Sequence, residues 1–234
     1  MKSLKSFWHW SRLGLAVLVL LLLAWQGWYL GWVVWWKFVN PATTSFMSLR
    51  LDELREKDPR AELKRQWVPY ERISVQLKRA VVAAEDAKFS DHEGFDWEGI
   101  QKALEKNQRK GKVVAGGSTI TQQLAKNLFL SADKTPWRKA QEAVITLMLE
   151  AVWDKRRILE IYLNVVEWGS GVFGAEAAAR HYYGVSAAQL SAEQAARLAV
   201  LLPNPRKFGR LPNSPYLAER TQIILGRMNA AVVP

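Results

Sequence analysis

The chain has 234 residues, 33 lysines and arginines against 22 acids, and a net charge of +11. That length suits one anchor plus one domain and excludes two large catalytic domains, while the absence of cysteine excludes disulfides, thiolate metal sites and a thiol nucleophile and fits an oxidising compartment. The basic excess points to anionic partners (lipid headgroups, nucleic acid, phosphates or an acidic substrate) or to a surface that is merely basic.

Residues 1–12 read as a basic tail: Lys2, Lys5 and Arg12 contribute +3 with no acid, leaving +8 for the rest. Residues 13–36 carry no charged side chain, and Gln26 is the most polar among them. At ~1.5 Å per residue they span roughly 36 Å, enough to cross a hydrocarbon core with some tilt. Trp8 and Trp10 precede this run and Trp32, Trp35 and Trp36 close it, the placement of interfacial aromatic belts. The run is too long for a signal-peptide apolar region, and no small-x-small cleavage site follows it. It also lacks the polar face of a helix lying in the membrane plane. The basic tail predicts a cytoplasmic N-terminus with the domain on the outer side.

Residues 37–66 are expected to be a juxtamembrane linker. Pro41 and the Thr-Thr-Ser run predict an extended segment over 40–47, and the charge-rich stretch 51–65 a short surface helix. Pro69 marks the entrance to a domain occupying 67–234. Within it a helix is predicted over 74–89, where Leu77, Ala80, Val81 and Ala84 form a stripe at helical spacing, with Ser74 as N-cap. Helices are also predicted over 96–107, from Thr119, from Thr135-Pro136 to about Trp153, over 154–163, over 175–182, from Ser191 to Leu202, and over 215–228. Residues 109–112 read as a basic turn, and Gly116-Gly117 as a break. No period-two strand pattern and no internal repeat occurs, so the domain reads as all-α or nearly so.

Four segments carry candidate chemistry. In the run EDAKFSDHEG (85–94), Glu85 sits at the edge of the apolar stripe. There it is either a partly desolvated carboxylate, usable as a general base, or a surface glutamate near a helix end. In GGSTITQQLAKN (116–127) two glycines feed a helix N-terminus. With Ser118, Thr119, Thr121 and the Gln122-Gln123 pair this suits a phosphate or pyrophosphate, while Thr119 and Gln122 also spell a capping box. It is not a Walker A loop. Lys126 adds positive charge two turns on. In WRKAQEAVITLMLE (137–150), Glu142 follows Arg138 by four residues, as a helical ion pair or as a second inward carboxylate. KRRILEIYLN (155–164) reads as a packing helix with a basic face. His9, His92 and His181 lie far apart, so no metal set stands out. Ser131 to Lys134 matches the S-x-x-K of penicillin-binding domains, but no K-T-G follows and the domain is too short for that fold.

Taken in order, EDAKFSDHEG, GGSTITQQLAKN, RKAQE, KRRILEIYLN, GVFGAEAAARHYYG and LSAEQAARLAVLLPNP resemble the peptidoglycan glycosyltransferase family, in particular its monofunctional biosynthetic members. The match covers about 67–228, and one departure is Phe173, where members often show Tyr. The resemblance implies a mainly α, lysozyme-like glycosyltransferase domain behind a single transmembrane helix. It implies polymerisation of lipid II into β-1,4-linked glycan strands, with inversion, release of undecaprenyl pyrophosphate and no transpeptidase activity. By the family pattern Glu85 corresponds to the general base, and Glu142 to the second glutamate near the leaving pyrophosphate. Lys126, Lys134, Arg138 and Lys139 match basic positions near the donor phosphates, and Ser118, Thr119, Gln122 and Gln123 the polar lining between the glutamates. No organic cofactor is implied, and Mg2+ or Mn2+ near Glu142 is the one ion the pattern allows. The implied partners are lipid II, the growing glycan chain, the membrane and cell-division or cell-wall synthesis proteins, not nucleic acid. The implied location is a bacterial inner membrane, crossed once, with a periplasmic domain. Two rival readings are a lysozyme-like or lytic peptidoglycan-cleaving enzyme, and a non-enzymatic membrane-tethered basic scaffold.

Overall fold

A computed structural model describes residues 2–112, 116–211 and 214–234. The side chains of residues 2–7, among them Lys2 and Lys5 of the basic tail, lie outside the described residues. The chain divides into two compact units, Met1–Val39 and Asn40–Pro234.

The first unit is one helix, α1 (Lys2–Phe38), which continues unbroken from the tail through the apolar run. Its stretch Trp8–Phe38 is long and apolar enough to cross a membrane. Leu15, Leu20, Leu21 and Leu23 stand exposed on it, as lipid-facing side chains do. Near its end Trp28, Trp32 and Trp36 follow one another at steps of one turn, the first pair edge-on and the second tilted, with ring centroids 5.9 and 5.3 Å apart.

The second unit is mainly helical. It opens with α2 (Ser45–Arg55), which corrects two expectations. The Thr-Thr-Ser run is not extended throughout: Thr44 is the N-cap of α2, its Oγ1 accepting the Met47 N–H at 3.1 Å. Nor do residues 51–65 make one helix, because α2 ends at Arg55 and the chain enters a two-residue strand, β1 (Lys64–Arg65). After a 3-10 turn at Tyr70–Arg72 come α3 (Val75–Glu85), α4 (Trp97–Lys110), α5 (Ile120–Phe129), α6 (Pro136–Val152) and α7 (Lys155–Val165). A hairpin of β2 (Glu167–Gly169) and β3 (Val172–Phe173) follows, then α8 (Ala175–Tyr183), α9 (Ala192–Leu201), α10 (Pro205–Phe208) and α11 (Pro215–Met228). The helix expected over 74–89 stops at Glu85, because Asp86 leaves helical geometry as its C-cap, and the expected basic turn at 109–112 is the end of α4, with Gly111 as its left-handed C-cap.

A small three-stranded sheet, in the order β1-β3-β2, was not legible in the sequence. β1 runs parallel to β3 and β2 antiparallel to it. Strands of two or three residues are too short to show a period of two. Their alternation is also masked, because β2 and β3 are buried on both faces. Gly174 joins β3 to α8 with φ of 84°, and a Cβ there would lie 2.7 Å from the Asn164 carbonyl oxygen. The glycine therefore lets α8 start directly against the end of α7.

The core has two parts. α3 packs on α9 and α11, burying Leu77, Ala80, Val81 and Val82. α5 packs on α6 and α7, burying Ile120, Leu124, Leu128, Ile145, Leu149, Ile158 and Tyr162. Removing one of these large apolar side chains costs roughly 2–5 kcal/mol. Asn164 ties the domain entrance to α7. Its Oδ1 accepts the Val68 N–H at 2.9 Å, and its Nδ2 donates to the Val68 and Glu160 carbonyls at 3.0 and 2.8 Å.

Candidate active site

The end of α3 and the start of α5 are joined by one carboxylate. Asp86, the C-cap of α3, is buried. Its Oδ2 accepts the Ile120 N–H at 3.0 Å, at the first turn of α5, where the helix dipole favours a negative charge. Its Oδ1 lies 2.9 Å from His92 Nε2. His92 Nδ1 accepts the Gly94 N–H at 3.1 Å, so the imidazole proton sits on Nε2 and points at Asp86. Gly94 has φ of 88°, and a Cβ on it would lie 2.7 Å from Thr146 Cγ2 on α6. Its carbonyl accepts the Thr119 hydroxyl at 2.7 Å. The loop 86–94 is thereby clamped to α5 and α6, and Glu85, the last residue of α3, is held against α5.

Glu85 meets a neutral partner. Gln123 Nε2 donates to its Oε2 at 2.8 Å, and Tyr162 on α7 donates its hydroxyl to Gln123 Oε1 at 2.9 Å. Burial pushes the Glu85 carboxyl above the usual carboxylate range, against the opposing Gln123 hydrogen bond. Asp86 pushes it the same way, while Lys126 and Arg220 pull it down.

Glu142 meets the opposite environment. It is 3 % exposed, and it binds Arg138 Nη1 at 2.5 Å through Oε2 and Lys139 Nζ through Oε1. It is thus both a helical ion pair and an inward carboxylate, and the two readings left open by its spacing merge. Lys139 Nζ also donates to Ser118 Oγ at 3.2 Å, linking α6 to the glycine loop. Lys126, three residues after Gln123, lies between the two environments electrostatically. Its ammonium pulls on Glu85, and Glu142 stabilises it. Burial, followed by Arg138, Lys139 and Arg50, lowers its proton affinity. Three cations, Arg138, Lys139 and Lys126, acting on one carboxylate leave positive charge for an anionic ligand.

The structure gathers Glu85, Ser118, Gln123, Lys126, Arg138, Lys139 and Glu142 into this network. Thr119 and Gln122 lie differently: both are buried and closed on each other in the capping box of α5. Thr119 Oγ1 accepts the Gln122 N–H at 3.2 Å, and Gln122 Oε1 accepts the Thr119 N–H at 3.0 Å. The capping alternative is therefore the one realised, and these side chains shape the glycine loop from behind. Lys134 stands exposed on the turn before α6, outside the network.

A cavity of about 260 Å³ opens beside Gln123 and Lys126, and its lining also includes Phe46, Arg50, Glu167 and Arg206, none of them a candidate site residue by sequence. Arg50 on α2 donates through Nε to Glu167 Oε2 on β2 at 3.1 Å and stacks 4.5 Å above the Phe46 ring. Glu53 joins Arg50 to Arg206 on α10, with contacts of 2.8 and 2.9 Å. No local signal marks these side chains, because three separate elements supply them. Asp86 and His92 belong to EDAKFSDHEG and Tyr162 to KRRILEIYLN, and their roles follow only from which side chains they face. Among the described residues no group of three or more carboxylates or histidines converges as a metal cage. Glu142 has both oxygens committed to cations. The residues present therefore do not fit a protein-held divalent ion.

A pair of glutamates on a helical scaffold, one half-buried beside a neutral amide and one buried and clamped by cations, fits a group-transfer site for a substrate with an anionic part. The chain belongs to the Transglycosylase family, whose model matches residues 52–229, and is a glycosyltransferase enzyme of peptidoglycan synthesis. It is 65% identical over 231 residues to the biosynthetic peptidoglycan transglycosylase of Dechloromonas aromatica (strain RCB), covering 99% of this chain and 100% of that protein. The protein of the same name from Azoarcus sp. (strain BH72) is 62% identical over 231 residues, at 99% and 100% coverage. That from Janthinobacterium sp. (strain Marseille) is 60% identical over 234 residues, with both chains covered completely.

Proposed function

We propose that the chain polymerises lipid II into β-1,4-linked glycan strands, inverting the donor's anomeric carbon and releasing undecaprenyl pyrophosphate. The observation that carries this reading is the opposite electrostatics of the two glutamates. Glu85 has raised proton affinity and no cation bonded to it, which suits a base that takes the proton of the acceptor's 4-hydroxyl. Glu142 takes no part in proton transfer on this reading. It orders Arg138 and Lys139, which with Lys126 neutralise the pyrophosphate as the anomeric C–O bond breaks. With the leaving charge neutralised, no general acid on the glycosidic oxygen is needed. A base on the acceptor face and cations on the departing face are the requirements of an inverting displacement.

Mg2+ or Mn2+ is the separate cofactor expectation, and no step here is routed through it. Chelation with EDTA decides: unchanged polymerisation assigns the neutralisation to Lys126, Arg138 and Lys139, and loss restored by Mg2+ reinstates the ion. The reading includes no transpeptidase activity. In the S-x-x-K run Ser131 Oγ donates to Asp133 Oδ2 at 2.7 Å on an exposed turn. Its partners are lipid II, the growing glycan chain and the membrane. The topology that fits is a single crossing of a bacterial inner membrane, with the basic tail cytoplasmic and the domain periplasmic, where lipid II is consumed.

The deciding experiment incubates the full chain with labelled lipid II. Polymer from the wild type and a loss of roughly 10²–10⁴-fold in Glu85→Gln is the expected result. Fragments released from mature sacculi, with no polymer from lipid II, would establish the cleaving enzyme instead.

A further inference from the structure

The amide of Gln123 is gripped at both ends. Tyr162, fully buried on α7, donates its hydroxyl to Oε1 at 2.9 Å, and Nε2 donates to Glu85 Oε2 at 2.8 Å. A primary amide has one accepting end and one donating end, so whichever group claims the oxygen decides what the carboxylate meets. Burial pushes the Tyr162 phenol well above its ordinary value, and Glu85 and Asp86 add to that. The phenol therefore stays protonated across the working range, with its single proton committed to Gln123.

We propose that Tyr162 is a positioning residue for glycosyl transfer: its hydroxyl holds the Gln123 amide with the N–H toward Glu85, and so keeps Glu85 available as the base. The inference rests on the assignment of Glu85 above. An N–H donated to a carboxylate stabilises the anion, and burial opposes it. Without the phenol oxygen the amide is free to turn over and present Oε1 to Glu85. The protonated carboxyl then gains an acceptor while the anion loses a donor, and both changes raise the proton affinity of Glu85.

The other charges acting on Glu85 are Asp86 beside it, Lys126 on α5 and Arg220 on α11. On α9, which also packs against α3, Glu193 and Arg197 act on Tyr183 instead. None of these changes when the phenol oxygen is removed. A purely structural Tyr162 would fill the space between α5 and α7, and its loss would lower activity equally at every pH.

The test is the pH profile of kcat/KM for lipid II polymerisation by the full chain. The proteins compared are wild type, Tyr162→Phe, Gln123→Met and the double variant. The acid limb of Tyr162→Phe is expected to move up by about one pH unit, roughly a tenfold loss on the acid side. The plateau at higher pH stays within a few-fold of wild type. Gln123→Met moves the limb the same way, and the double variant goes no further than the larger single effect, because the residues act as one chain. A Tyr162→Phe profile superimposed on wild type, or lowered by one factor at all pH values, overturns the proposal. Should Tyr162→Phe fold poorly, 3,5-difluorotyrosine at position 162 keeps the ring and makes the hydroxyl a stronger donor. Its acid limb then lies at or below that of wild type, and a rise overturns the proposal. Loss of activity in Glu85→Gln with an unshifted Tyr162→Phe limb sinks the positioning role alone. Full activity in Glu85→Gln sinks the base assignment and the positioning role together.

Discussion

Glu85 and Asp86 are adjacent carboxylates with different tasks, and environment alone separates them. Glu85 binds its proton more tightly in the folded chain than unfolded, because burial outweighs the Gln123 hydrogen bond. A raised folded value means the stability it contributes is full below the unfolded value of about 4.5 and is lost as pH rises through the folded one. At neutral pH the ionised Glu85 therefore costs stability. Glu85→Gln is expected to melt a few degrees higher than wild type at pH 7 while losing polymerisation, with the gain shrinking toward pH 4; calorimetry across pH checks it. Asp86 accepts two donors, from Ile120 and His92, with one oxygen each. Asp86→Asn turns one acceptor into an amide N–H facing a donor. It is expected to cost roughly 1–3 kcal/mol in denaturant unfolding and to lower kcat, since Glu85 is positioned by the same cap. That Glu85 faces inward was half legible from its place on the apolar stripe. That a glutamine and a tyrosine complete its surroundings was not, since Tyr162 is 77 positions away along the chain.

At the scale of elements, local signals performed well at five helix caps. Ser74, Thr119, Thr135, Asp154 and Ser191 each begin the helix predicted from them. Each accepts a hydrogen bond from the first turn, a short-range effect that needs no tertiary partner. They performed less well where a residue type has two uses. Thr44 disfavours helix by residue type yet starts one, because threonine is poor inside a helix and good at its N-cap. Gly94 belongs to the class whose role only packing reveals. Its positive φ and its approach to Thr146 leave no room for a Cβ. Gly94→Ala is expected to destabilise the domain by more than about 1 kcal/mol and to reduce polymerisation, through displacement of the 86–94 loop from α5. Thermal unfolding alongside a lipid II assay separates that loss from an effect on chemistry alone.

At the scale of the whole molecule, the proposed reading gives donor and acceptor polyprenyl tails and has α1, long and apolar enough to cross a membrane, confine the enzyme to their bilayer. Confinement raises effective concentration without any new contact. Exchanging residues 13–36 for an unrelated spanning helix is expected to preserve polymerisation in proteoliposomes, and a large loss would give α1 a direct role toward substrate. The +8 outside the tail predicts tighter association with anionic than with neutral vesicles, weakening as salt shortens the Debye length from about 10 Å at 0.1 M. Co-sedimentation over a salt series measures it.

The amino-acid sequence by itself determined the apolar span, the helical character of the domain, the helix starts at Ser74, Thr119, Thr135, Asp154 and Ser191, and the family. All of these rest on composition, periodicity or the order of short segments, which are properties of neighbours along the chain. Only the tertiary structure decided the small sheet and the wall of Arg50, Glu167 and Arg206. It alone showed that Gln123 stands between Tyr162 and Glu85. Those are contacts between distant segments. Their direction depends on which face of each helix the core buries, and that is settled only when all the helices pack together.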